Sequence, residues 1–453
     1  MAHSLAKTAL TTLVALLLAW AARASLDALV DQGPLFATPA DAFEKAAGKR
    51  GEWLDSPSSR TLRLLRPTYL GHAIAEALVQ FAPDGAPLRA QLLLYSRGDD
   101  GPSTGRDFVA RLDPIRAHLD ALANAPGVKR HVPTNSRLVE LHSWEWSTPS
   151  ALYRLDVASQ GRASNLKGEF IRLWVLPPAA PAAPNPGRPV LPAPGDTRHT
   201  PAAASPDSAD RDTRRDTLKK SDLLANVQRN GTAVTIAGVP MVAQGDKGYC
   251  AAATLARLLA YYGIGSIDQH ELAAAMGTDA EGGTSTSAEK KTMADCGRKF
   301  GLRLAEIDEL GYHDYERLVK EYNSAARKRG APRIENRGGA PVVGGPFWQL
   351  ADGPTLREAR SGTPQKQRLW LKEARKYLDE GIPVVWGVYC GLLPERGATA
   401  TRGGHLRLLI GYDESASLVY YTDTWGPGHE CKPMPLADAI TITRSRFVLH
   451  PKW

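Results

Sequence analysis

Between residues 73 and 176 the apolar positions alternate with polar ones over several short runs. The runs at 73–81 and 88–95 flank Pro83-Asp84-Gly85, a turn sequence, and predict a β-hairpin. Three later runs, at 137–146, 151–157 and 169–176, alternate in the two-residue manner of half-buried strands. Two stretches carry the helical period instead. One is 106–122, where Phe108, Leu112, Ile115, Leu119 and Leu122 fall on one face. The other is 39–47, with Thr38 available as an N-cap. These elements predict an α+β domain, an antiparallel sheet with one or two helices on a face, over residues 25–176.

After residue 222 the pattern starts helical and ends extended. The Ala-rich stretch 251–262 places Leu255, Leu258, Leu259 and Tyr262 on one side, and Gly263 supplies a stop. Further helices are predicted over 268–276, 287–300, 312–329 and 369–380. Strands follow over 382–389, 405–412 and 418–423. The stretch 330–365, rich in Gly, Pro and Arg and containing Phe347 and Trp348, is longer than ordinary connections. It reads as a substrate-facing loop or as disorder.

Residues 177–221 separate the two patterned regions. Their first half is stiffened by proline and their second is polar and charged, with little to bury. The organisation expected is a signal peptide over 1–24, a domain of unknown function over 25–176, a linker over 177–221 and a second domain over 222–453. At 453 residues, two cores are the natural expectation. The signal rests on Lys7, an apolar run from Leu10 to Trp20 and the small-residue ending Ala22-Arg23-Ala24. That run is short for a membrane span. The chain is therefore expected to be exported, periplasmic or extracellular, with no stable membrane insertion after cleavage.

Net charge changes little in this picture. The formal balance is +8 and hydrophobic residues make up 43%. No basic stripe interleaved with aromatics suggests a nucleic-acid partner. Cysteine changes more, because an exported chain can form disulfides. The four cysteines are Cys250, Cys296, Cys390 and Cys431. If Cys250 is a working thiol, one pair at most remains, with Cys390 and Cys431 the preferred partners. Free thiols are the alternative. In the first domain His72, His118, His131 and His142 show no ligand spacing, and Trp144 with Trp146 reads as core or sheet surface.

The second domain holds the chemistry. Cys250 opens a helix, where the dipole and unpaired N–H groups favour a thiolate. Gln244, six residues earlier, is a side-chain amide able to donate to a developing oxyanion beside the cysteine's own N–H. His405 follows Gly403-Gly404 at the start of a strand, and Asp423 ends the next strand, where it can fix the imidazole tautomer. Trp425 is suited to shielding that bond from water. A nucleophile, a base, an orienting acid and an oxyanion donor form the set that thiol acyl transfer needs.

This second domain resembles the C39-like branch of papain-fold cysteine peptidases. The resemblance rests on Gln244, Cys250, His405 and Asp423 in that order, and on Thr-Asp-Thr-Trp-Gly at 422–426. It implies a papain-like α+β fold and hydrolysis of peptide bonds in a peptide or protein substrate. It assigns Cys250 as nucleophile, His405 as base, Asp423 as orienting acid and Gln244 as oxyanion donor, with no metal or organic cofactor. Family members attached to exporters often carry an acid before the cysteine, where this chain has Tyr249. No nucleotide-binding P-loop or transporter segment is present, so their Gly-Gly leader specificity is not carried over. Two other readings stay open: a transglutaminase or cell-wall amidase using the same residue types, and a non-catalytic peptide-binding protein. Oligomeric state is not legible.

Overall fold

The computed structural model describes residues 26–178 and 218–452, apart from short stretches at 32–33, 55–59, 131–138, 162–164, 246–247, 265–266, 280–282, 337, 339 and 396–401. The expected signal peptide and nearly all of the expected linker lie outside the described residues.

The N-terminal region is built on one antiparallel sheet. Its strands are β1 (Gly51–Trp53), β2 (Arg60–Leu65), β5 (Glu76–Phe81), β6 (Pro87–Ser96), β7 (Val128–Arg130), β8 (Glu140–Ser147), β9 (Leu152–Gln160) and β10 (Lys167–Leu176). A separate two-stranded ribbon of β3 (Thr68–Tyr69) and β4 (His72–Ala73) lies between β2 and β5 in the chain. The sheet order is β1-β2-β5-β6-β10-β9-β8-β7. The helix Gly105–Ala123 packs through Phe108, Leu112 and Leu119 onto the face carrying Leu62, Val79, Leu92 and Leu173. Its N-cap Thr104 accepts from the Asp107 N–H. In the short helix Ala40–Ala47 the N-cap position falls on Pro39 rather than on Thr38, without a side-chain cap.

The half-buried reading of the run 169–176 fails on the opposite face of this sheet, and neighbouring strands share that face. Arg63, Glu76, Phe170 and Arg172 alternate with the core residues, yet all four are buried. They are covered by the C-terminal region. Arg172 reaches Asp268 at 2.7 Å, and Glu76 lies 3.3 Å from His270. Polar alternation therefore marks a docked face here, and each charge that lost water found an opposite charge.

The C-terminal region surrounds the helix Cys250–Tyr261. Alanine-rich and apolar nearly all round, it is buried over most of its length, which is the signature of a central helix. One side of it packs on a second antiparallel sheet, whose strands are β11 (Val227–Asn230), β12 (Ala233–Ile236), β13 (Leu302–Glu309), β14 (Val384–Cys390), β15 (Gly403–Asp413), β16 (Leu418–Thr422), β17 (Lys432–Pro435) and β18 (Thr443–Pro451). The order is β11-β12-β15-β14-β18-β13, with β16 and β17 extending from β15. Helices Gln269–Met276 and Thr286–Phe300 pack beside the central one.

The stretch 330–365 is not one continuous loop, and about half of it is helical. It holds helices Gly344–Leu350 and Gly353–Ser361. Phe347 and Trp348 are fully buried, and the Trp348 ring stacks on Tyr389. Gly and Pro here open helices rather than break them. Asp352 caps the second helix by accepting from the Thr355 N–H, and Pro354 occupies its first turn.

Candidate active site

Local sequence explains how the cysteine is held. Tyr249 is the residue before the helix, and its carbonyl accepts the first helical bond from the Ala253 N–H. Cys250 thus sits at the first helical position, where backbone N–H groups lack intrahelical partners. On the next turns, Thr254 donates to the Leu406 carbonyl, fixing the helix against β15.

His405 is the third residue of β15 and lies opposite Val388 of β14. Its Nε2 is 2.6 Å from Asp423 Oδ1. The Cys250 thiol lies close enough to the ring to favour its protonated form, and both side chains line one cavity of about 450 Å³. Burial resists protonation of this imidazole, but the Asp423 charge, the bond to Asp423 and the Cys250 thiol outweigh it. The His405 pKa is pushed up to about 9. Burial also works against the Asp423 carboxylate, and here too the opposite charges prevail. His405, then Arg407, hold it well below the usual carboxylate range. Trp425 stacks on the imidazole with ring centroids 4.8 Å apart, covering it from solvent.

Gln244 stands in a different relation to the cavity. It is not among the residues that line it, but it is tied to the residue after the acid. The Gln244 N–H donates to the Thr424 carbonyl at 2.8 Å, and the Thr424 hydroxyl donates to Gln244 Oε1 at 2.5 Å. With the carboxamide oxygen used as an acceptor, the NH2 end is the end directed elsewhere. The structure therefore brings Cys250, His405 and Asp423 together, with Gln244 attached through Thr424.

Two arginines belong to this site and carry no motif. Arg407, fully buried, donates from Nε to Asp423 Oδ2 at 2.7 Å and pairs with Glu395 at 2.8 Å. Arg257 lies two turns along the cysteine helix. It donates to the Asp423 carbonyl at 2.5 Å, to the Pro240 carbonyl at 2.7 Å and to the Thr422 hydroxyl. An arginine inside each of two apolar runs, at 251–262 and 405–412, is the sequence signal that points to them. Such a residue must be paired if those runs are buried.

The cavity walls are mostly backbone and small residues near the thiol. Gly403, Gly404 and Gly387 line it, and a Cβ at Gly387 would collide with Ser445 Oγ. Glu289 faces it from the helix Thr286–Phe300, where burial, opposed by Arg444, pushes its carboxyl up to about 8. Among the described residues no group of three or more His, Cys, Asp or Glu is arranged to hold a metal. The four cysteines are free, so the suggested Cys390–Cys431 pair is not formed. Cys390 is buried on β14 while Cys431 is exposed.

The model of the Peptidase_C39 like family matches residues 236–325 and 354–440, the stretches that supply all four site residues. Through these stretches the C-terminal half is similar to the Peptidase_C39 like family. A C39-like domain supports a cysteine peptidase, and a peptidase implies a peptide or protein substrate. The solved structure of xylellain, a cysteine protease from Xylella fastidiosa, is similar to this chain at 17% identity. It covers 52% of this chain and 91% of its own, with a TM-score of 0.26. No curated protein matches the chain. Among the described residues no helix is long and apolar enough to cross a membrane.

Proposed function

We propose that the chain is an exported cysteine peptidase that hydrolyses peptide bonds through Cys250, His405 and Asp423, with Gln244 as oxyanion donor. The observation that carries the reading is a thiol and an imidazole lining one cavity, with the imidazole bonded behind to a buried carboxylate. The Cys250 sulfur attacks the scissile carbonyl carbon. His405, holding the thiol proton, passes it to the leaving amine as the C–N bond breaks. Water, deprotonated by the now neutral imidazole, then attacks the thioester and restores the thiol. Asp423 keeps the imidazolium oriented and favours it throughout. The carbonyl oxygen becomes an oxyanion in both additions, where the Cys250 N–H and the Gln244 amide would donate.

A peptidyl chloromethyl ketone tests the assignment directly. At neutral pH it is expected to alkylate Cys250 stoichiometrically and to leave Cys296 and Cys390 unmodified. The free thiols at those two positions are buried and shifted up to about 11 and about 12, chiefly by burial. Mass spectrometry of the digested protein reads the outcome, and an unlabelled Cys250 would remove the reading. For Gln244→Ala, kcat is expected to fall by about 10²–10³-fold with little change in KM, because an oxyanion donor acts in the transition state. Steady-state kinetics on a cleaved peptide checks it.

A further inference from the structure

The N-terminal sheet touches the C-terminal region at the loop that carries Gln244 and Cys250. Ser96, the last residue of β6, places its hydroxyl 2.6 Å from the Tyr249 hydroxyl, and both residues are buried. The Tyr249 ring lies against Gly98, where any Cβ would overlap the ring. Its other side meets the His270 ring edge-on with centroids 5.4 Å apart. His270 is held in turn by Glu76 of β5, and Arg172 of β10 pairs with Asp268 and Glu271 around it. At the opposite end of the loop, Arg63 of β2 donates to the Ala243 carbonyl at 2.8 Å, one residue before Gln244.

Tyr249 is covalently joined to Cys250, and its carbonyl begins the cysteine helix. Whatever fixes Tyr249 therefore fixes the point at which the nucleophile leaves the loop. The N-terminal sheet supplies that fixing through Ser96 and Gly98. We propose that Ser96, Gly98 and Tyr249 are positioning residues for Cys250, so that the N-terminal domain is a built-in part of the active-site scaffold rather than a tethered accessory. This rests on Cys250 being the nucleophile. A displacement of a reacting atom by about 1 Å is enough to cost on the order of 10²-fold in rate, so a modest loosening is measurable.

The test uses the full chain with Ser96→Ala, Tyr249→Phe, the double variant, and Gly98→Ala. Three quantities are read: kcat and KM on a cleaved peptide, the rate of Cys250 alkylation by iodoacetamide resolved by mass spectrometry, and the melting temperature. For each single variant, kcat and the Cys250 alkylation rate are expected to fall about tenfold, with KM within about twofold. The double variant should fall no further than the weaker single one, because both remove one bond. Gly98→Ala should act in the same direction by pushing the ring. Folded variants with unchanged kcat and unchanged alkylation would overturn the proposal, as would a loss confined to KM or to melting temperature. Tyr249→Phe keeps the ring and its packing, so it guards against a Ser96→Ala or Gly98→Ala chain that does not fold. If instead wild type and Cys250→Ala cleave peptides equally, the peptidase reading fails, while the alkylation rates still decide the scaffold.

Discussion

A Cys250→Ala chain is expected to lose peptide turnover by about 10⁴-fold or more, with its melting temperature nearly unchanged. The expectation follows from comparing the four thiols. Only Cys250 meets an imidazole, and only Cys250 among them lines the cavity. Cys296 lies in the core and Cys390 is buried within β14, both held as thiols by burial. Cys431 is exposed but also shifted upward by burial, so it offers no activated sulfur. Cys431→Ser is accordingly expected to leave kcat within about twofold, which makes it the control. The small stability change reflects a partly exposed side chain whose loss opens little internal space. Turnover in Cys250→Ala comparable to wild type would end the enzymatic account.

The second large effect is expected at Asp423→Asn. The carboxylate is fully buried and faces two cations, His405 and Arg407. Asparagine keeps the shape and removes the charge. Activity is expected to fall by about 10⁴-fold, since the imidazole loses both its orientation and its stabilised cationic form. Stability should fall by about 3–5 kcal/mol, because Arg407 keeps only Glu395 as an anion. The pH dependence follows from the two shifts. The His405 pKa is raised from 6.5 to about 9, so its contribution to stability is complete below about 6.5 and is lost as pH rises through about 9. That of Asp423 is lowered, so its contribution is present above the ordinary carboxylate range and lost only in strong acid. The wild type should therefore lose stability between about pH 6.5 and 9, and Asp423→Asn should not. NMR of the His405 ring gives the direct reading: a midpoint near 9 in the wild type, moving down in the variant as burial prevails. A wild-type midpoint near 6.5 would show that the acid does not act on the base.

The site was legible in sequence to the extent that its chemistry sits in rare residue types beside recognisable breaks. Cys250 follows Gly248-Tyr249 at the mouth of an alanine-rich run, and His405 follows two glycines, so backbone context marks both. Arg257 and Arg407 carry no such mark. Their partner atoms lie 166 and 16 residues away, and only the folded arrangement shows that both reach one residue, Arg257 at the Asp423 carbonyl and Arg407 at its carboxylate. The same limit applies to the docked face of the N-terminal sheet. Arg63, Glu76 and Arg172 alternate with apolar residues as solvent-facing positions do, and period alone does not distinguish water from a second domain. Over 330–365 the limit is of another kind. Richness in Gly and Pro reads as a long connection, whereas Asp352-Gly353-Pro354 is a helix start whose buried Leu356 continues the core.

One guanidinium has a mechanical consequence. Arg257 rides on the helix that begins with the nucleophile and grips the main chain at the acid, so sulfur and carboxylate cannot drift apart without breaking a buried cation from its three acceptors. Heating should consequently switch turnover off as a unit, in step with the melting of the C-terminal sheet, rather than erode it gradually while the protein is still folded.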